Sequence, residues 1–345
     1  MKGFRLHSWD GILRWDEFDV APPGPGEVAL SVEACGVGLT VFNCLRGDLA
    51  DDPQLLPRVP GHEIVGRVTA VGPGGLEQLL GERVVAYFYL SCTDCLECRA
   101  GHDARCRNLA GLVGVHIDGG YAPRVVLPAA NVISVPESLD PIAATVVPDA
   151  VATSLHVTRA RARVRPGDRV VVIGAGGGVG AHLVQVAGMD GAEVVGLDVG
   201  EDKLAMIREL GYRAVRSEDF SALSGDGLFE AGSASVVVDL VGSDASLSWA
   251  LAALGPGGRL VVLTTFRDRS FSADPRRLVF QEAAIIGSRY ASKREVATAA
   301  ELVASGTVRP IIGRVVAAPA AGEIHEQLEA GTLVGRGALD WRKSA

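Results

Sequence analysis

Arg169-Val-Val-Val-Ile-Gly-Ala-Gly-Gly-Gly-Val-Gly180 is the stretch that decides the fold. Residues 170–173 are all aliphatic, which is typical of a strand buried on both faces of a sheet. Residues 181–187 then place apolar side chains at helical spacing. The intervening turn is rich in glycine, at Gly174, Gly176, Gly177, Gly178 and Gly180, with Val179 among them. A strand, a glycine turn and a helix in this order predict a dinucleotide-binding turn, because N–H groups at the helix N-terminus can bind a pyrophosphate.

The next apolar run supports this interpretation. Residues 193–198 end in Asp198, which follows Gly178 by about 20 residues, the spacing at which a carboxylate hydrogen-bonds the ribose of a bound dinucleotide. Because an acid at this point repels a 2′-phosphate, the sequence predicts NAD(H) rather than NADP(H). The alternative is a plain tight turn followed by an ordinary acidic residue at the end of a strand.

Composition and charge narrow the classes of function. The chain has 345 residues, of which 48% are hydrophobic and 43 are glycine, and this favours an α/β protein of about two domains. The formal net charge of -8 and the absence of a basic run argue against nucleic acid and anionic membranes as partners. The first residues have no apolar core of signal-peptide length, and no run reads as a membrane span. A cytoplasmic protein acting on a small-molecule substrate is therefore expected.

The first part of the chain, residues 1–150, is predicted to be mostly β. Its apolar or alternating runs are short and are separated by turns such as Gly72-Pro-Gly-Gly75. The predicted strands cover residues 28–35, 64–71, 83–89, 121–127 and 131–135. Short strands with frequent turns indicate a compact, barrel-like β domain.

From Asp149 onward, helical and strand patterns alternate. The predicted strands cover residues 170–173, 193–198, 236–240, 260–263 and 284–286. The predicted helices cover residues 150–162, 181–187, 202–210, 245–254 and 294–304. This alternation indicates a doubly wound parallel sheet. The tail is expected to return to the first domain, with a strand at 311–316, a helix at 324–329 and a last strand near Ala338.

Four of the six cysteines lie close together in the sequence. Cys92, Cys95, Cys98 and Cys106 have the spacing C-x2-C-x2-C-x7-C, and loops this short can wrap four thiolates around one tetrahedral zinc ion. An iron–sulfur cluster is the alternative. Four protein ligands leave zinc no open position, so a structural role is expected, in a reducing compartment.

Taken together, these motifs resemble the zinc-containing medium-chain dehydrogenase/reductases, the alcohol dehydrogenase superfamily. The resemblance covers nearly the whole chain and includes four further segments: Gly61-His-Glu-Ile-Val-Gly66, Asp118-Gly-Gly-Tyr121, Gly255-Pro-Gly-Gly-Arg259 and Gly335-Arg-Gly337. It implies an α/β fold with a GroES-like β-rich catalytic domain and a Rossmann domain. The implied boundaries are 1–150 for the catalytic domain with its zinc lobe at 92–106, 151–288 for the Rossmann domain, and 289–345 for the return to the catalytic domain. A homodimer or homotetramer is also implied.

The resemblance carries catalytic roles over to four residues and a place in the substrate pocket to a fifth. His62 matches the histidine ligand of a catalytic zinc, Glu63 the neighbouring acid, and Asp149 the third ligand. Thr40 matches the hydroxyl that relays the alcohol proton. Phe88 stands where the substrate pocket commonly has an aromatic residue.

Four more residues match the family's cofactor site. Thr153 corresponds to a residue that packs against the nicotinamide. Asp198 and Lys203 correspond to the pair that binds the ribose, and Arg336 to a basic residue near the pyrophosphate.

One position departs from the family pattern. The family's first catalytic-zinc ligand is a cysteine, whereas this chain has Gly38 there, in the segment Ala34-Cys-Gly-Val-Gly38-Leu-Thr40. In one hypothesis the site has no tightly bound zinc, and His62, Glu63 and Asp149 serve as hydrogen-bonding or acid–base groups. In the other, these three residues bind zinc as a nitrogen and two oxygens. The first hypothesis is favoured, since glycine has no side chain to offer a metal.

The predicted function follows from these assignments. An NAD(H)-dependent oxidoreductase is expected, transferring hydride to or from a small apolar carbonyl, alcohol or activated alkene. A site without a Lewis acid suits a conjugated C=C bond best, because the substrate's own carbonyl spreads the charge. The alternatives are a conventional zinc-dependent alcohol dehydrogenase and a homologue that binds the dinucleotide without turnover.

Overall fold

A computed structural model describes residues 1–220, 223, 229–230, 232–264 and 270–343. The chain divides into two compact units, one formed by Met1–Ala152 together with Ala291–Ala345 and the other by Thr153–Tyr290. No helix in these described ranges has the length and apolarity that a membrane span requires.

Strands and helices are numbered in chain order over the described residues. The strands are β1 Lys2–Leu6, β2 Leu13–Glu17, β3 Glu27–Val37, β4 Glu63–Val71, β5 Arg83–Ala86, β6 Arg124–Pro128, β7 Val132–Ser134, β8 Arg169–Ile173, β9 Glu193–Asp198, β10 Arg213–Arg216, β11 Ala234–Asp239, β12 Leu254–Val262, β13 Ala284–Gly287, β14 Ile312–Ala317 and β15 Arg336–Asp340. The α-helices are α1 Thr40–Leu45, α2 Leu96–Arg99, α3 Pro141–Ala144, α4 Ala152–Leu155, α5 Gly180–Met189, α6 Glu201–Glu209, α7 Asp244–Ala253, α8 Pro275–Gln281, α9 Lys293–Ala304 and α10 Ala321–Glu329.

The first unit is built around strand β3. Its sheet has the order β14-β15-β3-β4-β5-β7, and β6 also pairs with β3. Strand β15 runs antiparallel to the end of β3, with Gly337 opposite Val37. Through this pairing, residues 337–340 lie beside residues 34–37.

The second unit is a doubly wound sheet of six parallel strands. Its order is β10-β9-β8-β11-β12-β13, so the chain reverses direction across the sheet between β8 and β11. Residues 170–173 of β8 are at most 2% exposed, which explains their continuous aliphatic sequence. Ligands of such sheets bind at this reversal, beyond the carboxyl ends of the strands. The predicted parallel sheet and β-rich domain are confirmed.

Several elements differ from the sequence prediction. The predicted strand at 83–89 ends at Ala86, and β12 begins at Leu254, a residue predicted to end a helix. The helix predicted at 150–162 starts at Val147 and contains two π-helical segments, Val147–Val151 and His156–Ala162, on either side of α4. The hairpin β1–β2 was not predicted, because β2 has no fully buried residue to set a strand pattern.

His325 makes the stability of the first unit dependent on pH. Its Nε2 atom lies 2.9 Å from the hydroxyl of Tyr121, and the ring of Phe42 packs against its ring. Burial lowers the pKa of His325 to about 4, with Glu329 acting in the opposite direction. In the unfolded chain the pKa of histidine is about 6.5. Between these two pKa values the unfolded chain therefore binds a proton at this residue and the folded protein does not.

We expect stability to fall as the pH drops from 7.5 to 5, by about 2 kcal/mol from this residue alone. His325→Gln removes the titration, so the melting temperature of this variant should change less steeply with pH than that of the wild type. Thermal unfolding at several pH values measures this difference. Equal slopes for the two proteins would contradict the assignment.

Candidate functional site

The four clustered cysteines converge on one point in the first unit. Their Sγ atoms are separated by 3.4 Å (Cys92 and Cys106), 3.5 Å (Cys95 and Cys98), 3.9 Å (Cys95 and Cys106) and 4.0 Å (Cys92 and Cys98). Zn–S bonds of about 2.3 Å in a tetrahedron require sulfur separations of about 3.8 Å. Backbone N–H groups, that of Arg107 foremost, lower the pKa of Cys95 to about 6. The four sulfurs therefore fit a tetrahedral metal ion.

The glycine turn lies between β8 and α5 in the second unit. The N–H groups of Gly174 and Ala175 both donate to the carbonyl of Leu197, at 2.8 and 2.9 Å, and this anchors the turn to the end of β9. At Gly180, a Cβ atom would lie 2.2 Å from the carbonyl oxygen of Gly174. Only glycine allows α5 to begin so close to the end of β8.

Asp198 stands at the end of β9, next to this turn. Its carboxylate accepts the N–H of Gly176 and that of Val199, each at 2.8 Å, and the ammonium group of Lys203 lies 3.8 Å away. The side chain is 6% exposed. The turn and the acid are thus held together as the sequence predicted for a dinucleotide site, although the residues' roles remain predictions.

Four charged or polar residues meet in the first unit. His62 Nε2 lies 3.8 Å from a carboxylate oxygen of Glu63 and 3.8 Å from one of Asp149. The guanidinium of Arg336 contacts both acids: its Nη2 is 3.0 Å from Glu63 Oε1 and donates a short hydrogen bond to Asp149 Oδ2. Burial raises the pKa of Glu63, and Arg336 acts in the opposite direction.

Different elements bring these four residues together. His62 directly precedes β4 and Glu63 begins it, while Asp149 lies in the π-helical segment Val147–Val151. Arg336 is the first residue of β15. The sequence predicted the grouping of His62, Glu63 and Asp149 through the family resemblance, but placed Arg336 with the cofactor. Its contact with Asp149 has no local signal in the sequence, because it depends on the pairing of β15 with β3.

Arg336 also fills the space beside Gly38. A Cβ atom on Gly38 would lie 1.8 Å from Arg336 Nη1 and 2.5 Å from its Cζ. A cysteine side chain at position 38 would therefore overlap the guanidinium of Arg336 where it now lies.

The fit of a second metal ion can be judged from these donors. One ligand atom each from His62, Glu63 and Asp149 lies within 4.8 Å of the others, which is close enough to surround an ion. However, both acids are already paired with a guanidinium, and no cysteine supplies a thiolate. A tightly bound zinc ion does not fit the site as these residues stand.

The remaining predicted residues have the following positions. The ring of Phe88 packs against that of His62, with centroids 4.1 Å apart. Thr40 is the half-buried first residue of α1. Thr153 is 5% exposed in the second unit. No sequence signal other than the family resemblance singled out these three residues.

A glycine turn on a doubly wound sheet, with a four-cysteine lobe on a β-rich unit, defines a class of dehydrogenases and reductases. The model of the alcohol dehydrogenase GroES-like domain matches residues 24–137, and that of the zinc-binding dehydrogenase matches residues 178–305. The chain belongs to the zinc-containing medium-chain dehydrogenase/reductase family and is an alcohol dehydrogenase-like oxidoreductase.

Several relatives resemble the chain over most of its length. An alcohol dehydrogenase from Moraxella sp. (strain TAE123) is 30% identical over 99% of both chains. An acryloyl-coenzyme A reductase from Metallosphaera sedula is 30% identical over 90% of this chain and 88% of its own. The crystal structure of an NAD-dependent alcohol dehydrogenase is 30% identical, covers 99% of both chains and has a TM-score of 0.86.

Proposed function

We propose that this oxidoreductase uses NAD(H) and acts without a tightly bound catalytic zinc, on a small apolar carbonyl compound or an activated alkene. The observation that carries the proposal is the guanidinium of Arg336, which pairs with both acids of the site and abuts Gly38. Similarity to an acryloyl-coenzyme A reductase supports an activated C=C bond as the reducible group. Similarity to alcohol dehydrogenases supports a carbonyl or alcohol.

The cofactor and the metal each have a site in this proposal. Asp198 receives the adenosine ribose of NAD(H), because a carboxylate there accepts hydrogen bonds from the hydroxyls and repels a 2′-phosphate. The similarity to an NAD-dependent alcohol dehydrogenase supports the same choice. The lobe of four cysteines holds one structural zinc, as its sulfur separations support.

Bound NADH supplies the hydride, and residues of the protein transfer the proton. His62 Nε2 is buried, has no hydrogen-bond partner among the described residues, and lies 3.8 Å from Asp149. A single ring nitrogen holds one proton at a time, so Nε2 can give that proton to a substrate atom or take it back. Phe88 packs against the ring of His62 and gives the site an apolar wall. When hydride adds to a conjugated alkene, the substrate's carbonyl takes up the negative charge. Protonated His62 then gives its proton to the carbon next to that carbonyl.

His62→Gln separates this proposal from the conventional zinc mechanism. If His62 moves a proton, turnover should fall by about 10²- to 10⁴-fold while the metal content stays at one zinc per chain. Metal content is measured by mass spectrometry on protein purified without chelators, and turnover by NADH consumption with a panel of enals, enones, ketones and aldehydes. The control His7→Gln changes an exposed histidine of the same unit and should alter neither quantity.

Two other results would each replace the proposal. Two zinc ions in the wild type, with one lost in His62→Gln, would restore the conventional zinc-dependent alcohol dehydrogenase; the three donors within 4.8 Å make this the second candidate. Tight NADH binding without turnover of any compound in the panel would indicate a protein that binds the dinucleotide only.

A further inference from the structure

The charged groups around Gly38 are buried and paired with one another. Two acids, Glu63 and Asp149, face one guanidinium, and the side chain of Arg336 is 6% exposed. Buried charges are stable only when they are paired, so the two carboxylates can balance the guanidinium and at most one further positive charge. Adding a divalent ion to the present residues would leave one positive charge in excess.

The strand pairing explains why the guanidinium lies there. Gly337 of β15 is opposite Val37 of β3 in an antiparallel ladder, and Arg336 and Gly38 are the residues next to this last pair. Side chains at facing positions of such a ladder project to the same side and are close neighbours. A side chain at position 38 would collide with Arg336 Nη1, as the 1.8 Å separation shows.

We infer that Arg336 is the built-in cation of this site, and that its guanidinium and a divalent metal ion are alternative occupants of the space between Glu63, Asp149 and residue 38. The inference deepens the proposed function and rests on it. Arg336 is on this view a positioning residue, because it holds the two acids in place and keeps metal out. Gly38 permits either occupant, because glycine has no side chain to fill this space.

Arg336→Gln tests the inference directly. It removes the guanidinium charge. The two negative charges of Glu63 and Asp149 would then balance a divalent ion bound by these acids and His62. The variant should bind one more Co²⁺ per chain than the wild type, with at least tenfold tighter affinity at that second site. Visible absorption during Co²⁺ titration and metal analysis measure this, and neither depends on enzyme activity. In Gly38→Cys/Arg336→Gln, a thiolate-to-cobalt absorption band should appear in addition.

Two controls isolate the charge at position 336. Arg336→Lys keeps a cation in place and should bind no more Co²⁺ than the wild type. Arg83→Gln removes another arginine of the same unit, one that pairs with Glu33, and should also show no additional binding. Equal gains in Arg336→Lys and Arg336→Gln would overturn the inference, as would a folded Arg336→Gln variant without any gain.

Gly38→Ala decides the matter if Arg336→Gln does not fold. A methyl group at position 38 must displace a guanidinium held by two acids, so the variant should melt at a lower temperature than the wild type. A melting temperature equal to that of the wild type would overturn the inference. Failure of the proposed function looks different, because it appears as a second metal in the wild-type protein itself or as NADH binding without turnover of any compound in the panel.

Discussion

Cys95→Ser is expected to remove zinc from the protein and to lower its melting temperature by at least about 10 °C, since structural zinc contributes folding free energy directly. The substitution leaves three thiolates, and a serine hydroxyl is a poor fourth ligand. The regular elements of the lobe are short: among the described residues they are the single turn α2 and the 3₁₀ turn Asp103–Arg105. Backbone bonds between Leu90 and residues 110–111 close the lobe at its base.

The control for this prediction is Cys44→Ser. Cys44 is buried in the same unit but donates to the carbonyl of Gly114 rather than joining the cluster. This variant has the same number of cysteines as Cys95→Ser and should keep one zinc per chain. The prediction is wrong if Cys95→Ser retains its zinc, or if it loses zinc and still melts at the temperature of the wild type.

Asp198→Ser should weaken NADH binding by about 10- to 100-fold, which corresponds to 1.4–2.8 kcal/mol for the lost hydrogen bonds to a charged acceptor. The preference for NADH over NADPH should shrink at the same time, because the charge that repels a 2′-phosphate is gone. Lys203, 3.8 Å from the carboxylate, would then be available to the phosphate. Fluorescence titration with both nucleotides measures the two affinities.

Asp190→Asn is the matched control. Asp190 follows α5 in the same unit and pairs with Arg159, away from the glycine turn. Its loss should leave both nucleotide affinities unchanged. A wild type that binds NADPH more tightly than NADH would contradict the role of Asp198, as would unchanged NADH affinity in Asp198→Ser.

The parts of the fold that could be predicted are those whose burial leaves a mark on the sequence. Strand β8 is buried on both faces and is therefore a continuous aliphatic run, and β9 ends in its acid. Strand β2 has only half-buried or exposed residues, which do not alternate, and two acids at its end, so no pattern reveals it. The π-helical segment around Asp149 was also hidden, because helical periodicity alone does not distinguish a π turn from an α turn.

The candidate site was predictable only in part. His62, Glu63 and Asp149 came from matching positions in a family, and Gly38 stood out because it lacks the side chain that the family has there. Arg336 could not be placed beside them from the sequence, since their meeting depends on the register of β15 against β3. The missing ligand at Gly38 nevertheless indicates that another side chain fills the volume that the family's cysteine would occupy.

The register of β15 against β3 has a consequence for how this site can evolve. Residues 38 and 336 lie near opposite ends of the sequence, yet each is the immediate neighbour of the other. A mutation that brings cysteine to position 38 first meets the guanidinium, and one that removes the arginine first leaves two buried acids without their partner. Either single change is expected to be unfavourable in this protein, so the effect of changing residues 38 and 336 together should differ from the sum of the two separate effects.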